Sequence, residues 1–230
     1  MTHKGNVFVV DDDARVRKAL QRLLATDGFN VISFEDAESF LAGVGCDMPG
    51  CVVLDLSMPA LDGIMLQREL LARGCRRAIV FVTGHGDVAA GVQAMKAGAV
   101  DFLEKPVAAD RLLEAVTRGL EQDRQWRDES AYRNAVAGRV SSLTRREREV
   151  LELVVKGQLN KQIAAALGTV EKTIKVHRAR MMEKMGVRSV AMLVHLTERI
   201  GLQGLKKGDL RAAGHFDTGP APAPKNFTFQ

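Results

Sequence analysis

The 230-residue chain is poor in aromatic side chains, 5% in all, with a single Trp and a single Tyr. None falls within residues 141–201, so the stacking residues of single-stranded RNA readers are missing there. Cysteine is equally scarce. Cys46, Cys51 and Cys75 are an odd number with no CxxC pair, which argues against a disulfide framework or a zinc ribbon. None has both an evident basic neighbour and a partner thiol, so all three are expected to be inert. A reducing cytoplasm is the expected home. No apolar run approaches the roughly 20 residues of a membrane span, and the opening MTHKGNVFVVDDD does not read as a signal peptide. His3, His195 and His215 lack ligand-like spacing, so no metal site is expected of them.

What is present fits a soluble globular chain. Hydrophobic residues make up 46% and charged ones 27%, too apolar a mix for wholesale disorder. The length allows one or two domains. The net charge of +5 is unevenly spread: residues 1–120 carry 13 basic against 16 acidic groups, residues 121–140 four of each, and residues 141–203 carry 12 against 6. An acidic first half and a basic second half suggest two domains, the second with a polyanion for a partner.

In the first half, apolar runs alternate with helix-period segments. Residues 7–10, 31–34, 51–54, 78–82 and 100–103 read as five short strands. Val16, Ala19, Leu20, Leu23 and Leu24 follow the stripe of an amphipathic helix, and Leu112, Leu113, Val116 and Leu120 repeat it. The alternation predicts an α/β fold, a five-stranded doubly wound parallel sheet. Ligands of such sheets bind beyond the carboxyl ends of the strands. There stand Asp11-Asp12-Asp13, Asp55, Thr83 and Lys105-Pro106. Carboxylates gathered in one crevice repel each other unless a hard cation neutralises them, and oxygen ligands with open positions suit Mg²⁺. A hydroxyl and an ammonium are what a transferred phosphoryl group needs around it. Asp55 is placed to be a carboxylate nucleophile forming an acyl phosphate. Asp13 is better read as the cap of the first helix.

These residues sit in VVDDD, LDLSMPALDG, VTGHGD and AGAVDFLEKP. Residues 5–120 thereby resemble the receiver domain of two-component response regulators, with a flavodoxin-like fold. The resemblance implies that Asp55 is the phosphoacceptor and that Asp11 and Asp12 are the acidic pair. Mg²⁺ would be held by Asp11, Asp12, Asp55 and the Ser57 carbonyl. Thr83 becomes the switch hydroxyl, Phe102 the rotating aromatic, and Lys105 the phosphoryl clamp, with a cis bond to Pro106. Ser57 and His85 stand where the family tunes the lifetime of the acyl phosphate.

Residues 121–140 read as a helical linker without Gly or Pro until Gly138. From Ser141 the pattern is all helix. Thr144 to Glu147 form a capping box, Asn160 is expected to cap a short helix, and a third helix is expected over Lys172–Lys184; Val170 offers no capping side chain, so either Thr169 caps that helix or its start loses about 1 kcal/mol. A fourth begins at Ser189. Two helices joined by a Gly turn, the second rich in Lys and Arg, have helix-turn-helix spacing.

LTRREREVLELVVKGQLNKQIAAALG followed by KTIKVHRARMMEKMGVRS resembles the four-helix LuxR-type DNA-binding domain. With the receiver in front, the chain is similar to FixJ-like response regulators of the NarL/FixJ class. The resemblance implies that Lys175, Val176 and Ala179 face the major groove. Lys172, Thr173, Arg180 and Lys184 would face phosphates, with Asn160 and Lys161 touching the backbone from the neighbouring helix. Implied partners are a sensor histidine kinase, double-stranded promoter DNA, a second copy of the chain after phosphorylation, and RNA polymerase as a candidate. Two rivals are weighed. An aspartyl-phosphate phosphatase wants a second acid where this chain has Ser57, and a receiver with an RNA-binding output wants the aromatics that are missing. Residues 204–230 read as a flexible tail.

Overall fold

The computed structural model describes residues 3–84 and 88–200. The expected tail, the last residues of the second domain and His85 lie outside them. The described residues divide into two compact units, parting after Ser130.

The first unit holds five strands, β1 (Asn6–Val10), β2 (Asn30–Phe34), β3 (Cys51–Asp55), β4 (Ala78–Thr83) and β5 (Asp101–Glu104). All pair in parallel in the order β2-β1-β3-β4-β5. Between them run α1 (Ala14–Thr26), α2 (Ala37–Gly43), α3 (Gly63–Ala72) and α4 (Val88–Lys96). The central strands are continuous apolar runs because both faces of the sheet are covered. Phe8 and Val10 point into a core shared with Phe40, Leu66 and Ala94 of α2, α3 and α4. Val7 and Val9 point the other way, onto Leu20 and Leu24 of α1 and onto Leu112 and Val116 of the helix that follows β5. All four β1 side chains are fully buried, as the two-residue period of a strand requires in a three-layer fold.

That last helix, α5 (Ala109–Ser141), is 33 residues long and belongs to both units. Beyond it come α6 (Arg145–Val155), α7 (Asn160–Ala166), α8 (Glu171–Met185) and α9 (Val190–Ile200). Their core gathers Val136 and Val140 of α5 with Leu151, Ile163, Ile174, Met181, Met185 and Leu193. The capping box of α6 is present: the Thr144 amide donates to Glu147 (2.8 Å) and the Glu147 amide to Thr144 Oγ1 (3.3 Å). Ser189 caps α9 by accepting from the Met192 amide.

Two local expectations are corrected, and the alternative left open at the start of α8 is decided. Thr169 does not cap α8; Val170 occupies the cap position and offers no side-chain acceptor. Asn160 is the first residue of α7, and Gln162 reaches back to the Leu159 amide (2.8 Å) instead. Cys46 and Cys75 form a disulfide, with Cα atoms 5.1 Å apart, although they are 29 positions apart in the chain. A sequence shows only near neighbours, and this pairing is made by two loops at one end of the sheet.

Candidate functional site: a carboxylate cluster and a basic helix

Each acidic residue of the crevice is delivered by the end of a central strand. β1 stops at Val10, and Asp11 follows it almost fully buried, while Asp12 stays exposed. Asp13 turns the chain into α1 and caps it, its Oδ1 accepting from the Arg15 amide (2.8 Å). The Asp11 carboxylate is oriented from below by the Asp13 amide (2.8 Å). Arg17 of α1 donates to the Asp11 carbonyl (2.6 Å) and ties the loop to the helix. The sequence carries little sign of this role of Arg17 beyond its place six residues past Asp11.

Asp55 ends β3 and is 6% exposed. Gly63 has to be glycine at this point, because a Cβ there would lie 2.5 Å from the Asp55 carbonyl oxygen. The acid atoms of Asp11, Asp12 and Asp55 lie within 4.8 Å of one another, a set able to hold one hard cation. Lys105, just past β5, places its ammonium between two of them, 2.7 Å from Asp11 Oδ2 and 3.1 Å from Asp55 Oδ2. Its peptide bond to Pro106 is cis. The Lys105 amide donates to the Thr83 carbonyl (2.7 Å), which ties the lysine to the fully buried end of β4.

Burial raises the Asp55 carboxyl above its ordinary range, against the hydrogen bond and charge of Lys105. Burial pulls the Lys105 ammonium down, but its hydrogen bonds to the two aspartates outweigh this and hold it above the usual lysine value. The site thus pairs an acid destabilised as an anion with a cation locked beside it. Ser57 is exposed, and its amide lies 3.4 Å from Asp55 Oδ1. Phe102 is half-buried on β5, with its ring centroid 6.2 Å from that of Phe81. Gly91 of α4 faces that ring, at the distance where an added Cβ would just touch it.

In the second unit, α7, a turn at Gly168 and α8 form the helix-turn-helix. Ile174, Met181 and Met185 anchor α8 in the core. Lys172, Lys175, Val176, Ala179 and Arg180 of α8, with Lys161 of α7, are exposed, and Thr173 is half-buried. Lys175 lies 3.4 Å from Glu171, a solvent-exposed pair of little strength. Asn160 accepts from Arg178 (2.7 Å), which joins α7 to α8. Lys184, which is exposed as well, also has partners within the domain. Its ammonium donates to buried Glu147 of α6 (2.6 Å) and to the Ser142 carbonyl (3.3 Å). The buried Glu147 of the α6 cap thereby gains a cation, while the Lys184 side chain stays about one-third exposed.

The comparisons with known proteins agree with this division. Residues 7–117 match the response regulator receiver domain, and residues 141–197 match the bacterial regulatory proteins of the luxR family. The chain is 44% identical to the transcriptional regulatory protein FixJ of Bradyrhizobium diazoefficiens, over 88% of its own length and 98% of the relative's. It is 41% identical to the transcriptional regulatory protein TdiR of Thauera aromatica, over 86% and 88%. Among solved structures, the response regulator StyR superposes with a TM-score of 0.77 at 46% identity, covering 84% of this chain and 98% of that one. A receiver of this composition joined to a LuxR-type domain defines the class, a transcriptional response regulator of a two-component system. Within that class the chain belongs to the FixJ-like family. Its relatives are transcriptional regulators, and the phosphatase and RNA-binding readings are set aside on that ground.

Proposed function

We propose that this regulator is switched by transfer of a phosphoryl group from a sensor histidine kinase to Asp55. The observation that carries the proposal is the convergence of Asp11, Asp12, Asp55 and Lys105 in one half-buried crevice at the carboxyl ends of β1, β3 and β5. An Asp55 carboxylate oxygen attacks phosphorus, the P–N bond to the kinase histidine breaks, and the imidazole leaves with the electron pair. Lys105 stays beside the new acyl phosphate and balances charge on its oxygens. Asp11, Asp12, Asp55 and the Ser57 carbonyl would hold Mg²⁺, which supplies charge neutralisation for the phosphoryl oxygens when bound. Thr83 and Phe102 then move toward the phosphoryl group and alter the face made by α4 and β5.

That face has the character of a pairing surface. Val88, Val92 and Met95 recur along α4 with side chains 79%, 48% and 46% exposed, an apolar row unusual on a solvated helix. Two receivers joined there would bring two DNA-binding units to two half-sites. Residues 1–120 act as the receiver, 121–140 as the helical linker and 141–203 as the DNA-binding domain. Lys175, Val176 and Ala179 face base edges, and Lys172, Thr173, Arg180, Asn160 and Lys161 face phosphates of promoter DNA. Lys184 serves this interface by fixing α8 to α6. The protein works in the cytoplasm, where RNA polymerase is the partner of its output. No helix among the described residues is long and apolar enough to cross a membrane.

Genome-wide mapping of DNA occupancy with wild type and Asp55→Asn, in cells with the kinase signal on, tests the whole scheme. The expected outcome is a set of discrete promoter sites lost in the variant. An identical map for both proteins would overturn phosphorylation control.

A further inference from the structure

Away from the carboxylate crevice, at the opposite end of the sheet, lies a second group of residues that the phosphotransfer scheme does not use. Two loops meet there. One, residues 44–50, precedes β3 and carries Cys46; the other, residues 73–77, precedes β4 and carries Cys75. Cys46 is exposed and Cys75 is buried. The environment is cationic: Arg76 and Arg77 directly follow Cys75, and the nearly buried Arg77 donates to the carbonyl oxygens of Gly45 and Met48 on the other loop. The expectation that no cysteine combines a basic neighbour with a partner thiol is thus corrected for Cys75.

The same loop also holds α5. Arg127 donates to the Asp47 carbonyl (2.6 Å) and the Met48 carbonyl (2.7 Å). Asp123, 3% exposed, accepts from the Gly50 amide (3.0 Å) and from Arg127 (2.7 Å). From the Cys75 loop, the Arg76 guanidinium lies over the ring of Trp126, 4.0 Å from its centroid. The two loops that the cysteines join thus supply backbone hydrogen bonds to Asp123 and Arg127 and a cation over the Trp126 ring, beside the packing of Trp126 on the sheet core. The family match to the receiver ends at residue 117, so this fastening concerns the part of α5 just beyond it.

We propose that Cys46 and Cys75 form a thiol–disulfide exchange site for small-molecule thiols and disulfides, and that its redox state sets how firmly the receiver holds α5 over residues 121–130. In the oxidising direction, exposed Cys46 attacks a low-molecular-weight disulfide as its thiolate, forming a mixed disulfide and expelling one thiolate. Cys75 then attacks the Cys46 sulfur and expels the second. Two electrons pass to the small disulfide, and the two cysteine protons end on the two released thiols. A small dithiol reverses the sequence. Closing the bond fixes the two loops to each other, so the carbonyl acceptors of Arg127 and the seat of Trp126 are held in one geometry. Opening it frees the 44–50 loop and loosens Asp123, Trp126 and Arg127. Cys51 is outside the pair: it is fully buried, and burial with the nearby Asp123 charge pushes its thiol up, so it stays protonated.

The test uses the full-length protein, treated with glutathione disulfide or with dithiothreitol. Thiols are counted by alkylation under denaturing conditions, and the natively folded samples are followed by emission of the single Trp and by amide hydrogen exchange. The expected result is one alkylated cysteine after oxidation and three after reduction. Reduction is also expected to shift the Trp126 emission and to speed exchange in residues 121–130 by roughly fivefold or more. Cys46→Ser, at an exposed position, is expected to lose the response, and Cys51→Ser to keep it. Three alkylated cysteines after oxidation would overturn the exchange site. A disulfide that forms without moving Trp126 or the exchange of residues 121–130 would overturn the coupling, as would a response that survives in Cys46→Ser.

Discussion

Asp55 of the receiver and Glu147 of the DNA-binding unit are buried alike, 6% and 3% exposed, and each has a lysine at hydrogen-bond distance. Their surroundings push them in opposite directions. Burial raises the Asp55 carboxyl, and Asp11 adds a like charge beside it. The hydrogen bond from Lys184 comes first in holding the Glu147 carboxyl below its ordinary range, followed by the Thr144 amide. The first acid is strained as an anion and exposed to a substrate from one side; the second is fully satisfied and closes a helix cap. Buried charge is therefore no mark of function by itself. What distinguishes the two is whether the partners of the anion are complete.

The comparison extends to how each unit meets its partner. The receiver turns the charges of Asp11, Asp55 and Lys105 inward, into the crevice. The second unit turns Lys172, Lys175 and Arg180 outward from a helix anchored by Ile174, Met181 and Met185. The largest effect that could sharpen this contrast lies on that outward face. Lys175→Ala is expected to weaken binding to a cognate duplex by about 1–3 kcal/mol and to relax the preferred sequence. Lys172→Ala is expected to weaken all duplexes alike and to lower the salt slope by about 1. Binding to cognate and scrambled duplexes across a salt series checks both. An unchanged cognate-to-scrambled ratio for Lys175→Ala would remove it from the base-reading set.

Next in size is the inward pair. Lys184→Ala leaves Glu147 buried without its cation. Because Lys184 is about one-third exposed, water can replace part of the contact, and a loss of about 1–2 kcal/mol of unfolding stability is expected. The salt dependence of DNA binding should stay as in wild type, unlike that of Lys172→Ala. The sign of the acid effect follows from the depressed carboxyl. Glu147 contributes stability above its unfolded value of about 4.3, and that contribution is lost as pH falls through its lower folded value. Urea melts from pH 6 to pH 3 are expected to show a steeper loss for wild type than for Glu147→Gln.

The smallest effect is at Asp55 itself. Its folded-state carboxyl is raised, so the anion opposes folding at neutral pH, and the cost is relieved as pH falls through that raised value. Asp55→Asn removes the charge and is expected to raise the melting midpoint of the receiver unit by a few degrees. A lowered midpoint would show that Lys105 needs Asp55 more than Asp55 suffers from burial.

The legible part of the molecule was what each strand or helix carries in its own sequence. Doubly buried strands appear as unbroken runs such as Val7–Val10, and a strand that ends in Asp11 or Asp55 advertises its place in the crevice. Both domains and the carboxylate cluster followed from such signals. Lys184 looked like any other lysine of a basic helix, because its partner Glu147 stands 37 positions earlier. The Cys46–Cys75 bond and the seat of Arg127 were hidden for the same reason. They depend on loops that the sheet brings together, and no local pattern records them. The missing cap at Val170 is visible in the sequence, and the structure shows one of the two outcomes it allows, a helix start without a side-chain cap.

The central claim is that Asp55 receives the phosphoryl group in a crevice that needs all of its charges. The most direct measurement is phosphoryl labelling of the full chain by acetyl phosphate in the presence of Mg²⁺, followed by mapping of the modified residue. A single acid-stable, base-labile label is expected on Asp55, absent in Asp55→Asn and absent from wild type when the Mg²⁺ is chelated. Undiminished labelling of Asp55→Asn would contradict it.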